Sequence, residues 1–100
     1  MYKIRMLCED MKNEINMTKH YYESALYTKD LNPDQYRKFV EIAKQELNHA
    51  IILHDMALYE VNKAKDAGKT PTDDMKETWE KMHVEYVDEV KTLEYKLSKI

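Results

Sequence analysis

Residues 30–35 read Asp30-Leu31-Asn32-Pro33-Asp34-Gln35, and this short stretch decides how the chain folds. It interrupts an otherwise continuous helical pattern. Asn32 suits the cap of a new helix, and Pro33 suits its first position, where a missing N–H costs nothing. Gln35 stands where a capping box needs a side chain that reaches back to the cap. Upstream, Ile4, Leu7, Met11, Ile15, Thr18, Tyr22 and Ala25 recur at helical spacing. Downstream, Tyr36, Phe39, Val40, Ala43, Leu47, Ala50, Leu53, Ala57 and Val61 do the same. The break therefore predicts a helical hairpin, with helices over residues 2–29 and 33–66.

A second break, Ala67-Gly68-Lys69-Thr70-Pro71-Thr72, ends that run. Gly68 suits a left-handed helix stop, and Thr70 or Thr72 can cap a third helix whose dipole Asp73 and Asp74 complement. The third helix is expected over 72–99, with Trp79, Met82, Tyr86, Val90, Leu93, Leu97 and Ile100 on one face. A loop of about six residues reaches at most roughly 20 Å, whereas the second helix is about 50 Å long. The third helix must therefore fold straight back. The expected fold class is all-α, a three-helix antiparallel chain forming a single helical domain over residues 1–100.

Composition agrees. Of the 100 residues, 43% are hydrophobic and 35% charged, with one glycine and two prolines, which suits a few long amphipathic helices and excludes a disordered chain. The net charge of -3 offers no basic face for nucleic acid. No apolar run is long enough to span a membrane, and residues 1–5 lack a signal-peptide core. One cysteine, Cys8, cannot form an internal disulfide, so a reducing cytoplasm is expected, with Cys8 inert at a helix edge. Glycine-rich phosphate loops and zinc cysteine sets are absent from the sequence, and Ser24 and Ser98 stand in no relation to a base. Acyl-transfer and nucleotide chemistry are thereby disfavoured.

One polar residue breaks the apolar stripe of the second helix. Glu46 lies between Ala43 and Leu47/Ala50, where a carboxylate is costly unless paired, hydrogen-bonded or bound to a metal. His49 follows one turn on, and Glu14 sits at the edge of the first helix's stripe beside Met11 and Ile15. Glu-x-x-His spacing alone says little, because it also occurs at Glu80/His83. Hairpin geometry singles out the first pair. Glu14 precedes Leu31 by 17 residues, while Glu46 and His49 follow it by 15 and 18, so the three should lie level. Two carboxylates and an imidazole at one height are half of a di-metal site in a helical bundle. Such donors suit iron or manganese, with zinc compatible.

The segment Ile42-Ala43-Lys44-Gln45-Glu46-Leu47-Asn48-His49-Ala50, followed by Leu53, resembles the second helix of rubrerythrins and other ferritin-like proteins. Glu14, with Tyr21 and Tyr22 beyond it, is similar to their first helix. The resemblance covers roughly residues 8–60. It implies ligand roles for Glu14, Glu46 and His49, and it implies iron with oxidase or storage chemistry. A full ferritin-like bundle has four helices and a long crossover after the second, which this chain lacks. The half-length encapsulated ferritins, which the spacing also resembles, imply the remedy: a homodimer or higher homo-oligomer in which two hairpins face each other, with the third helix packed outside or guarding the seam.

Further ligand candidates on the third helix are Glu89, near the height of His49, and His83, level with Met56. Glu80/His83 is otherwise a surface pair, and His20 and His54 are ordinary helix residues. Tyr21 and Tyr22 read as core and interface, the methionines as gap-filling core, and Trp79 as a core or interface anchor. The competing expectation is a metal-free helical interaction protein, such as an accessory protein of a phage or other mobile element, whose exposed surface binds a protein partner. In it Glu14, Glu46 and His49 would be a buried polar cluster that fixes helix register.

Overall fold

The computed structural model describes residues 2–68 and 73–100, with side chains for 3–68 and 76–100. Three α-helices make up the described chain, and it contains no strand: α1 (Tyr2–Thr28), α2 (Pro33–Asp66) and α3 (Asp73–Ser98). The molecule is a rod of 55 × 18 × 16 Å.

Each end of the first turn is built from local hydrogen bonds. The Thr28 carbonyl accepts from the N–H groups of Leu31 (3.1 Å) and Asn32 (2.8 Å). Asn32 Oδ1 then accepts from the Gln35 N–H at 3.2 Å, with Pro33 in the first turn of α2. The reciprocal half of the expected capping box is not used, because the Asn32 N–H is already held by Thr28. At the far end of α2, Gly68 takes φ +70, and its N–H reaches the Lys65 carbonyl at 3.0 Å. Thr70 and Thr72, the candidate caps of α3, lie outside the described residues, as do the Asp73 and Asp74 side chains.

Between α1 and α2, Lys3 pairs with Glu60, Glu14 with His49, and Tyr21 stacks on Phe39. Successively later positions on α1 thus meet successively earlier positions on α2. The two backbones run close together over most of their length, and α3 stands further off both. Side-chain size explains the closeness. Ala43, Ala50 and Ala57 recur every seven residues on α2 and are fully buried, as are Thr18 and Ala25 on α1. A heptad spacing keeps these small residues on one seam. The buried Thr18 hydroxyl donates to the Glu14 carbonyl at 2.8 Å, so the seam holds no unsatisfied hydroxyl at that point.

The third helix lies over the hairpin. Met11 and Ile15 of α1, Ala43, Leu47 and Ala50 of α2, and Tyr86, Val90, Leu93 and Leu97 of α3 form one buried cluster. Trp79, Met82 and Ile100 are only half-buried, so the two ends of the expected α3 face are thinner than its middle. Cys8 departs from expectation: it is 1% exposed and inside the core rather than at an edge. Burial, with the Glu9 charge nearby, pushes its thiol pKa up, which leaves it unreactive. The methionines divide. Met11 is core, but Met6, Met17 and Met56 are 40–47% exposed.

Enlarging the seam should be costly. Ala50→Leu is expected to lower stability by about 1–3 kcal/mol, read as a lower urea midpoint. An unchanged midpoint would mean that α1 and α2 do not meet closely there.

Candidate metal centre

Glu14 on α1 and Glu46 and His49 on α2 converge at mid-height of the hairpin. Each offers a ligand atom, and these atoms lie within 4.8 Å of one another. His49 Nδ1 is 3.8 Å from Glu14 Oε2 and 3.7 Å from Glu46 Oε2, within ion-pair range but beyond a hydrogen bond. The side chains grade from inside to outside: Glu46 is 16% exposed, Glu14 25% and His49 54%. The alanine seam creates this meeting. Glu46 and His49 flank Leu47 and Ala50, so the small residues that admit α1 also bring Glu14 against them.

Electrostatics make the cluster costly when empty. A proton shared with Glu46, then burial, then the Glu46 charge push the Glu14 carboxyl up to about 7, and His49 opposes this. The proton shared with Glu46 pairs the neutral carboxyl, but once Glu14 is ionised its buried Oε2 has no hydrogen-bond donor among the described residues. A buried acceptor left unmatched calls for a cation or a water. Two carboxylates and one imidazole supply hard oxygen donors and one nitrogen, a set that suits iron or manganese and tolerates zinc. On both counts the residues present fit a divalent ion.

The other candidates stand elsewhere. Glu89 is held by Lys19, Nζ to Oε1 at 3.0 Å, and does not join the cluster. His83 does not join it either. It bonds to His54 across α2 and α3 at 3.1 Å, so His54 is more than an ordinary helix residue, and no Glu80 contact holds His83 among the described residues. The expected height of His83, opposite Met56, is two residues from its observed neighbour. Sequence reasoning missed the His54–His83 pairing because it judged His54 on its own helix alone. Tyr21 and Tyr22 are half-buried packing residues. Tyr21 stacks on Phe39 at 6.2 Å, and Lys96 sits over the Tyr22 ring at 5.6 Å.

The cluster opens away from α3. Leu47 and Ile51 line the groove that α2 makes with Leu97 of α3. His49 lies two residues from each, about 200° around the helix, on the opposite side. On α1, Lys19 meets α3, and Glu14, five residues earlier, is turned from it by about 140°. Along the same open flank, Ile52, Met56 and Tyr59 continue the His49 stripe at 48%, 47% and 64% exposure. They line one wall of a shallow groove between α1 and α2.

The proton on Glu14 has a measurable consequence in the metal-free chain. The group titrates near 4.5 when unfolded and near 7 when folded, so between these values the folded chain binds the extra proton. Its contribution to stability is therefore present below about pH 4.5 and is lost as pH rises to about 7. Glu14→Gln should flatten that loss and stabilise the metal-free protein at pH 8 on the order of 1–2 kcal/mol, measured by urea unfolding across pH. Parallel curves for the two proteins would show that the carboxyls ionise independently.

No protein-family model, curated protein or solved structure matches this chain. The chemistry of the centre must come from the geometry of its own side chains.

Proposed function

We propose that this chain is a ferritin-like metal protein that binds and oxidises iron at a seam between two copies. In this reading the three helices are antiparallel neighbours, and α1 and α2 form a hairpin that faces its symmetry mate. Two sets of Glu14, Glu46 and His49 would then close one dinuclear carboxylate centre. The observation that carries this reading is the convergence of two carboxyls and an imidazole, with one buried carboxylate oxygen that, when ionised, has no donor among the described residues.

Two further features support it. The cluster is half of a di-metal set, so a single chain leaves coordination positions open. It opens on the flank that α3 leaves bare, and exposed Ile52, Met56 and Tyr59 beside it supply apolar surface for a partner. The reading also places the protein in the cytoplasm, without a membrane or nucleic-acid partner; that no described helix is long and apolar enough to cross a membrane is a separate fact and does not bear on it.

Within the chain, Glu46 is the innermost donor and Glu14 releases its proton as an ion enters. His49, half-exposed, is the ligand nearest solvent and the partner copy. Bound iron would supply one-electron redox chemistry toward oxygen or peroxide. Manganese or zinc would occupy the same donors without that chemistry or with less of it.

A second reading has its own observation. Val84 and Tyr95 on α3 are 61% and 65% exposed, a surface suited to a protein partner in a metal-free accessory protein of a mobile element. Elemental analysis combined with solution mass separates the two. Iron binding predicts a dimer with about two ions per pair of chains, and a Glu46→Ala/His49→Ala variant that loses them. A metal-free monomer that takes up no ferrous iron leaves only the accessory protein.

A further inference from the structure

Away from the carboxylate cluster, the contact between α2 and α3 holds another group of metal-binding side chains. His54 Nε2 lies 3.1 Å from His83 Nδ1. The His54 side chain is 12% exposed, and its ring lies flat against Tyr86, centroids 4.1 Å apart and planes 3° from parallel. The His83 ring stacks on Trp79 at 5.4 Å. On the far edge of His54, Nδ1 is 3.4 Å from Asp55 Oδ1. A carboxylate there favours the proton on Nδ1, which leaves the Nε2 lone pair facing His83. Metal-bound histidines are held in the same way.

The spacing of the two rings also fits an ion. Two nitrogens bound to one tetrahedral ion at about 2.0–2.1 Å lie about 3.3 Å apart. Glu80 stands one turn before His83 on α3 with an exposed side chain; it does not converge on the two rings as Glu14, Glu46 and His49 do on one another, so ligation would require it to change rotamer. This uses the second Glu-x-x-His spacing in the chain.

We propose that His54 and His83, with Glu80 as third ligand, form a separate site for a borderline divalent ion such as zinc or copper(II). To take the ion, His83 adopts its Nε2–H tautomer, so that its Nδ1 lone pair joins that of His54 Nε2 on the ion and neither neutral ring loses a proton overall. Two imidazoles and one carboxylate make a nitrogen-rich set, in contrast to the oxygen-rich Glu14, Glu46 and His49, so the two sites select different ions. The ion would also secure a weak part of the fold. Among the described side chains of α3 the buried ones are Tyr86, Val90, Leu93 and Leu97, and none of residues 76–85 is buried. A metal bridge at residue 83 pins that half of α3 to α2.

Trp79 is the chain's one tryptophan and reports directly on the site. A stoichiometric amount of copper(II) should quench its fluorescence, and zinc should reverse the quenching only in large excess, because copper(II) binds such donors more tightly. His54→Gln and His83→Gln should each weaken binding about tenfold or more, and Glu80→Gln should weaken it less. Glu46→Ala/His49→Ala should leave the quenching intact, which keeps this site distinct from the hairpin centre. Circular dichroism checks that each variant remains helical. Quenching that needs a large excess of copper, or that persists in folded His83→Gln, overturns the proposal.

Discussion

The close contact of α1 with α2 is the constraint from which the rest follows. Fully buried alanines at 43, 50 and 57, with Thr18 and Ala25 opposite, let two helical backbones approach along most of their length. Leucine at those positions would hold the helices apart, and carboxylates on their edges would then face water separately. Because the seam is narrow, Glu14 and Glu46 are forced together, and one of them holds a proton near neutral pH. A like-charge contact of this kind destabilises the fold, and under the proposed function a divalent ion would relieve it. The narrow seam that creates the strain is also what would let the cluster hold an ion.

The third helix makes the molecule asymmetric. It occupies one groove of the hairpin and supplies the apolar cover for Met11, Ile15, Leu47 and Ala50. The opposite flank, which carries the carboxylate cluster, keeps its apolar side chains exposed. Met17, Ile52, Met56 and Tyr59 on a rod only 16–18 Å thick are a large apolar load for a small chain. The proposed second copy, laid on that flank, would cover them and would also complete the proposed metal set.

The histidine pair is a different solution to holding helices together. Where α3 lacks buried residues, aromatic rings and two imidazoles stand in for aliphatic packing. Such rings carry polar edges, and the edges meet between the helices. That part of α3 is held by ring stacking and the contact between two imidazole nitrogens, while its other half is held by Val90, Leu93 and Leu97.

Three helices, and their ends to within a residue, were legible from Asn32-Pro33, Gly68 and the spacing of apolar residues, because capping and periodicity are local. The level arrangement of Glu14, Glu46 and His49 was legible too, since a tight turn converts sequence distance into height. Three features were not. Cys8 lies in the core rather than at the expected helix edge, because spacing along one helix does not say how wide a seam is. His54 was passed over because its partner comes from another helix, 29 residues away. Which flank α3 covers was also hidden, because periodicity ranks faces within one helix and is silent on rotation about a second interface. Local backbone chemistry sets helices and turns, whereas the meeting of side chains across helices depends on packing volume summed over the whole chain.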